Sequence, residues 1–211
     1  MSYVFGSQSD RHVPRSANFY GVTKRAFDIV ACLICLPVFA VLCLVILMAN
    51  PFWNPGSLFY TQTRRGKNGA AFKIIKFRSM SPAKGETRSA DDPLEVHRVT
   101  PLGHLLRRSQ MDELPQIFNV LLGEMSFIGP RPEIEEFAET YATIIPDYTV
   151  RESVRPGITG YAQVTQGYTD SIAMIHRKTE LDTYYVYNMG WALDIRILVR
   201  TVFVVYGFVR R

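Results

Sequence analysis

"IVACLICLPVFAVLCLVILMA", residues 29–49, is a run of twenty-one residues without a charge. Wound as an α-helix it covers about 30 Å, enough for the hydrocarbon core of a bilayer. A helix at the edge of a soluble core is apolar along one stripe only, whereas this run is apolar all round, so it reads as a membrane segment. Its length, its late start and the lack of a small-residue cleavage site argue against a cleaved signal peptide. Lys24 and Arg25 precede the run and Arg64, Arg65 and Lys67 follow it. Positive flanks mark the cytoplasmic side, and here both flanks are positive. Pro37, near the middle, removes a helix hydrogen bond and bends the axis. Two topologies fit these residues: a re-entrant helix that turns back at Pro37, and a kinked helix that crosses. Asp28 stands one turn after Lys24, a pairing distance, and Lys24, Arg25 and Asp28 together read as anchors at the membrane interface.

All three cysteines, Cys32, Cys35 and Cys43, lie in the same run. Cys32 and Cys35 have redox spacing, but a redox pair needs an electropositive, accessible setting, and the neighbours here are apolar. They read as packed or lipid-facing thiols, with no disulfide framework.

The whole 211-residue chain is 47% hydrophobic and 20% charged, which excludes a disordered protein. The net charge of +5 and pI near 9.2 favour partners that carry phosphate: a nucleotide, an anionic lipid or a nucleic acid. Between Arg64 and Lys84 there are seven Lys or Arg and no acid. This stretch reads as a solvated basic hairpin or as a surface set against lipid headgroups. The four histidines show no metal-ligand spacing.

Three segments follow: a loose tail over 1–21, the membrane helix over 22–53, and a compact domain over 54–211. The fold class is α+β and mainly helical, with one β-hairpin and amphipathic helices. Residues 58–80 form two β-rich runs around Gly66–Gly69. Residues 81–98 are polar and read as a surface loop. Thr100-Pro101 is a helix start with Pro at the first position. A second helix begins close to Asp112, because Pro115 is tolerated only in a first turn. "PEIEEF" opens a third, with Glu133, Glu135 and Glu136 complementing its dipole. "VRPGITGYAQV", 154–164, reads as a Gly/Pro-rich loop. Helices follow over 171–187 and 194–206.

The chemistry concentrates in "RRSQMDELPQIFNVLLGEMSFIGPRP", residues 107–132. Asp112 and Glu113 are adjacent carboxylates at a helix start, and Ser109-x-x-Asp112 loosely resembles a capping box, so capping is one reading. The other is a phosphate site. Helix N–H groups attract anions, and Arg107 and Arg131 can grip phosphate oxygens in paired hydrogen bonds. Arg131 is held between Pro130 and Pro132, which fixes the backbone that carries it. An ionised Asp112 can act as nucleophile, and Glu113 can hold Mg²⁺ together with a diphosphate.

"KRAFD", "KFRSM", "DELPQIFNVLLGEMSFIGPRP" and "VRPGITGYAQV" together resemble the bacterial sugar transferases, the monotopic polyprenyl-phosphate phosphoglycosyl transferases. The resemblance covers residues 24 to about 206. It implies a re-entrant membrane helix bending at Pro37 and a catalytic domain on the cytoplasmic face of the bacterial inner membrane. It implies a UDP-sugar donor, a polyprenyl phosphate acceptor, Mg²⁺, and contact with anionic lipids. Downstream glycosyltransferases follow as possible partners. Asp112 matches the family's nucleophile and Glu113 its metal-binding partner. Arg107, Arg131 and Arg155 match donor-phosphate or nucleotide contacts. After "AQV" an "NGR"-like stretch is common in the family, and here Thr165-Gln166-Gly167-Tyr168 stands instead, so one arginine contact is missing. The length fits the minimal catalytic form. Two rivals share the basic composition: a non-enzymatic membrane adaptor and a membrane-tethered nucleic-acid binder. For the latter, no recognisable binding module is present, so nucleic acid is not an expected partner.

Overall fold

The structure, a computed structural model, describes residues 17–82, 95–167 and 171–205. Most of the 81–98 loop and residues 1–16 of the tail lie outside the described residues.

The first helix, α1 (Ala17–Trp53), starts five residues before the expected boundary at 22 and stays helical across Pro37 and Pro51. Its buried residues are Asp28, Cys32, Phe39, Ile46 and Asn50, a single stripe at spacings of four and seven. The other faces show Val30, Leu33, Ile34, Val38, Val41, Leu44, Val45 and Met48 to the outside. The mean hydropathy of its most apolar stretch is 3.2. A helix packed along one stripe and greasy on every other face is consistent with membrane association.

The stripe packs on the rest of the chain from end to end. Near the start, Arg25 donates to the carbonyls of Val120 (2.5 Å) and Leu121 (2.8 Å). In the middle, Phe39 stacks on Phe77 (centroids 5.8 Å) and meets Phe118 edge-on at 5.3 Å. At the far end, Asn54 donates to the Arg78 carbonyl (2.7 Å), while Arg78 donates back to the carbonyls of Asn54 and Ser57.

The hairpin forms as expected: β1 (Phe59–Arg65) pairs antiparallel with β2 (Ala71–Phe77) around Gly66–Gly69. Helix α2 (Pro101–Arg108) is capped by Thr100, whose hydroxyl accepts from the Gly103 N–H at 3.0 Å. A short 3₁₀ turn, Met111–Glu113, leads into α3 (Gln116–Leu122), which Gly123 ends in the left-handed conformation at φ 86°.

Two sequence expectations change here. The "VRPGITGYAQV" segment is not a loop throughout. Its β4 (Gly157–Thr159) pairs in parallel with β3 (Ser126–Ile128), and α5 (Tyr161–Thr165) follows. Gly and Pro hide the strand from pattern reading because they bring backbones together: a Cβ on Gly157 would lie 2.1 Å from the Gly129 nitrogen. Helix α4 (Glu135–Ile144) begins later than "PEIEEF" suggested, so Glu133 lies outside it. The chain ends in α6 (Ile172–Asn188) and α7 (Trp191–Val205). The architecture is mainly helical α+β, with two small sheets among the described residues.

Candidate active site

Asp112 and Glu113 sit in the 3₁₀ turn between α2 and α3, and β2 brings Lys76 to them. Strand alternation explains why. Phe72, Ile74 and Lys76 share one face of β2, and the first two are core residues. Lys76 therefore points inward, where its ammonium donates to Glu113 Oε1 at 2.8 Å. Arg131 completes the grip. Its Nη1 donates to Glu113 Oε2 at 3.0 Å and its Nη2 to Oε1, a bidentate fork. Both side chains of the Lys76–Glu113 pair are more than four-fifths buried.

The electrostatics of the two carboxylates diverge. Burial alone would raise the Glu113 pKa, but Arg131 and Lys76 overcome it and hold the group well below the usual carboxylate range. For Asp112, burial and then the Glu113 charge raise the pKa, against the pull of Lys76, Arg107 and Arg131. Side by side, one acid is locked ionised while its neighbour is pushed towards protonation, a division of roles common at catalytic pairs. No side chain among the described residues hydrogen-bonds to the Asp112 carboxylate. Burial lowers the Lys76 pKa, as does the nearby Arg131, and Glu113 opposes them. Arg64 is pushed down to about 10 by burial and by Arg131.

The capping reading of Asp112 is not what the structure shows. Ser109 closes α2 instead, its hydroxyl donating to the carbonyls of Leu105 and Leu106, and the 3₁₀ turn has no side-chain cap. Arg107, at the exposed end of α2, acts on Asp112 by charge. Arg131 lies on Glu113. Arg155 lies elsewhere: its Nε donates to the Gly123 carbonyl at the C-terminal end of α3, whereas the acids precede the N-terminal end. Pro37 lies within the continuous α1.

The three residues read as interface anchors have internal partners. Lys24 pairs with buried Asp194 at 2.6 Å rather than with Asp28. Asp28 accepts from the Ser126 hydroxyl and the Phe127 N–H, both at 3.1 Å. Arg25 caps α3. The basic run is likewise largely internal: Arg64, Arg65, Lys76 and Arg78 all have protein partners, while Lys67 and Lys73 are exposed. A wholly solvated basic hairpin is therefore set aside. Glu133, read as a helix-dipole acid, pairs with Lys178 of α6.

Sequence reasoning missed Lys76. The signal was present, since a lysine on the apolar face of an alternating strand has to meet a buried acid. No group of three or more His, Cys, Asp or Glu able to hold a metal occurs among the described residues. Two adjacent carboxylates suit Mg²⁺, which takes one or two protein carboxylates and draws further ligands from phosphate and water.

A family model described as bacterial sugar transferase matches residues 19–207. The UDP-N-acetylgalactosamine-undecaprenyl-phosphate N-acetylgalactosaminephosphotransferase of Aeromonas hydrophila is 41% identical over 186 residues, covering 87% of this chain and 43% of that protein. The UDP-glucose:undecaprenyl-phosphate glucose-1-phosphate transferase of Escherichia coli is 41% identical over 191 residues, covering 89% and 40%. The chain thus spans about two fifths of each of these relatives. The exopolysaccharide production protein PSS of Rhizobium leguminosarum bv. phaseoli is 40% identical over 191 residues, covering 86% of this chain and 94% of that protein.

Proposed function

The chain belongs to the bacterial sugar transferase family, and from that premise we propose that it moves a sugar 1-phosphate from a UDP-sugar to undecaprenyl phosphate, the first membrane step of a polysaccharide or glycoconjugate. The names of its relatives supply the donor and acceptor classes. The observation that carries the reading is the pair itself: Asp112, to which no side chain among the described residues hydrogen-bonds, beside Glu113 gripped by Arg131 and Lys76.

In this mechanism an Asp112 carboxylate oxygen attacks the sugar-bearing phosphorus. The bond from that phosphorus to the bridging oxygen breaks and UMP leaves with the electron pair. A phosphate oxygen of undecaprenyl phosphate then attacks the same phosphorus and Asp112 departs as carboxylate. One diphosphate is broken and another made, so the exchange is close to balanced. Arg131 and Lys76, already aimed at an anionic centre, are placed to take donor phosphate oxygens, with Arg107 at the rim. Mg²⁺, when held by Glu113 and the diphosphate, supplies charge neutralisation. Because both oxygens of Glu113 are taken by Arg131 and Lys76, metal binding there needs these cations to move to the donor.

The re-entrant reading of α1 rests on its contacts. Residues 20–28 bond to Asp194, Val120, Leu121 and Phe127, and residues 50–54 bond to Gly56 and Arg78. Both ends thus fasten to one body, which supports a helix that enters and leaves the bilayer on the cytoplasmic face of the inner membrane. The exposed Ile195, Val199, Val202 and Phe203 of α7, beside Arg196 and Arg200, suit a helix lying at anionic headgroups.

The test is donor alone. Without undecaprenyl phosphate, a UDP-sugar should leave a sugar-phosphate mass on the Asp112 peptide and release UMP up to one equivalent. Asp112→Asn should fold and do neither. Substantial turnover by Asp112→Asn, or UMP release only when both substrates are present, refutes the covalent mechanism.

A further inference from the structure

The buried charges that do not touch the reacting centre converge on the segment that carries Arg131. Each carbonyl from Pro130 to Glu133 is held by a different donor. The Gly157 N–H reaches Pro130 O at 2.9 Å, Arg151 Nη2 reaches Arg131 O at 2.6 Å, Arg64 Nη1 reaches Pro132 O at 3.2 Å, and the Arg65 N–H reaches Glu133 O at 3.0 Å. Pro130 and Pro132 also fix φ on either side of Arg131. Of these tethers, the one at Arg131 itself is a buried ion pair. Arg151 donates through Nε to Asp182 Oδ2 at 2.9 Å, its Nη2 lies 2.8 Å from the same oxygen, and Nη1 donates to the Tyr148 hydroxyl at 3.1 Å. Arg151 and Asp182 side chains are 4% and 1% exposed.

A pair this deep is a poor source of stability, because desolvation offsets most of its attraction and an apolar pair of similar volume does as well. Its geometry does something an apolar pair cannot: one guanidinium joins α6 to the single carbonyl behind the Glu113-gripping side chain. Lys178, one turn before Asp182 on α6, pairs with Glu133 two residues beyond Arg131, so α6 holds the segment at two points.

We propose that Arg151 and Asp182 are positioning residues that aim the Arg131 guanidinium at the donor phosphates. This rests on the function proposed above. A displacement of about 1 Å at a group remote from the chemistry can cost about 100-fold in rate.

The experiment is the donor-only UMP burst in full-length protein in detergent or nanodiscs. The double variant Arg151→Met/Asp182→Leu removes both charges together, which leaves no orphaned ion. Its burst rate should fall about 10- to 100-fold while the burst amplitude stays within about twofold of wild type. Arg151→Lys keeps a charge for Asp182 but gives up the planar fork, and should slow the burst likewise, so the test survives if the double variant does not fold. In an Arg131→Ala background the Arg151 and Asp182 changes should cost less than about threefold further, since they act through Arg131. A loss of amplitude with an unchanged rate would mean a purely structural pair and overturn the inference. So would full additivity with Arg131→Ala, or a wild-type rate in Arg151→Lys. A wild-type enzyme that gives no burst would overturn the covalent mechanism proposed above, and this inference with it.

Discussion

Replacing Lys76 with Met tests whether Asp112 is the group whose charge state sets the rate. The Lys76 ammonium lies 2.8 Å from Glu113 Oε1, with side chains 16% and 17% exposed. Removing one partner of a buried pair costs up to about 3–5 kcal/mol, but Glu113 keeps its fork to Arg131. The loss is then that of one charge-assisted hydrogen bond, about 1.5–3 kcal/mol. At about 2–4 °C per kcal/mol for a chain of this size, Tm should drop by about 3–12 °C, leaving a folded enzyme. The kinetic signature is a shift in the acid side of the pH–rate profile. Asp112 must be ionised to attack, and its pKa is raised by burial and by Glu113 against the pull of Lys76. Without Lys76 that pKa rises further, so burst activity should fail at a higher pH than in wild type. Glu113→Gln removes a raising influence and should shift the residual profile to lower pH. The assay is single-turnover UMP release from pH 4.5 to 8.5, with scanning calorimetry on the same preparations. Acid limbs that stay put in both variants, or move in the same direction, would show that another group controls the rate.

Glu113 also links pH to stability. Its folded pKa is depressed, so its contribution is complete above the unfolded value near 4.3 and fades as pH falls towards the folded one. The Tm gap between wild type and Glu113→Gln should therefore hold steady from pH 8 to about 4.5 and narrow below that, as calorimetry would show. Cysteines placed at Gly21, where a Cβ meets nothing within 4 Å, and at Ser57 should label from the same side of inverted and right-side-out vesicles; labelling from opposite sides would refute the re-entrant helix. Gly103→Ala should destabilise severely, because the new Cβ would lie 1.9 Å from the Ser79 carbonyl oxygen, and limited proteolysis should reveal it.

Periodicity was a good guide wherever one face of an element decided its burial. The hairpin, α2 with its Thr100 cap, α6 and α7 all fall within a few residues of where alternation and capping rules put them. It misled where backbone approach, not side-chain pattern, made the structure. Strand β4 is built from Gly157 and its neighbours, and glycine carries no hydrophobic signal. Of the candidate site, Asp112, Glu113 and Arg131 were legible because they are close in sequence and bracketed by prolines. Lys76, Arg151 and Asp182 reach the same region from β2, a 3₁₀ segment (Tyr148–Ser153) and α6, and no local rule joins residues 37, 20 and 51 positions away from the acid and the arginine they serve. Lys24 and Asp28 show the reverse: one turn apart and of opposite charge, each nonetheless took a partner nearly 100 or more positions distant. Short-range pairing is worth only a few tenths of a kcal/mol and yields to burial.

Helix α1 gives its stripe to the domain and its remaining faces to whatever surrounds it. Three of the ten buried residues in one apolar cluster of the described chain, Cys32, Phe39 and Ile46, lie on that stripe. It follows that the helix is not an interchangeable anchor. Grafting a generic hydrophobic helix in its place would take the Phe39 ring away from Phe77 and Phe118 and strip the α3 carbonyls of Arg25. Water cannot solvate the outer faces, and lipid alone cannot complete the inner one. On the membrane reading proposed above, insertion and folding are one cooperative transition, and the bilayer enters the stability of the chain as a ligand does. Bilayer thickness and detergent chain length should then tune the unfolding temperature of the residues packed on the inner stripe as well as of the helix itself.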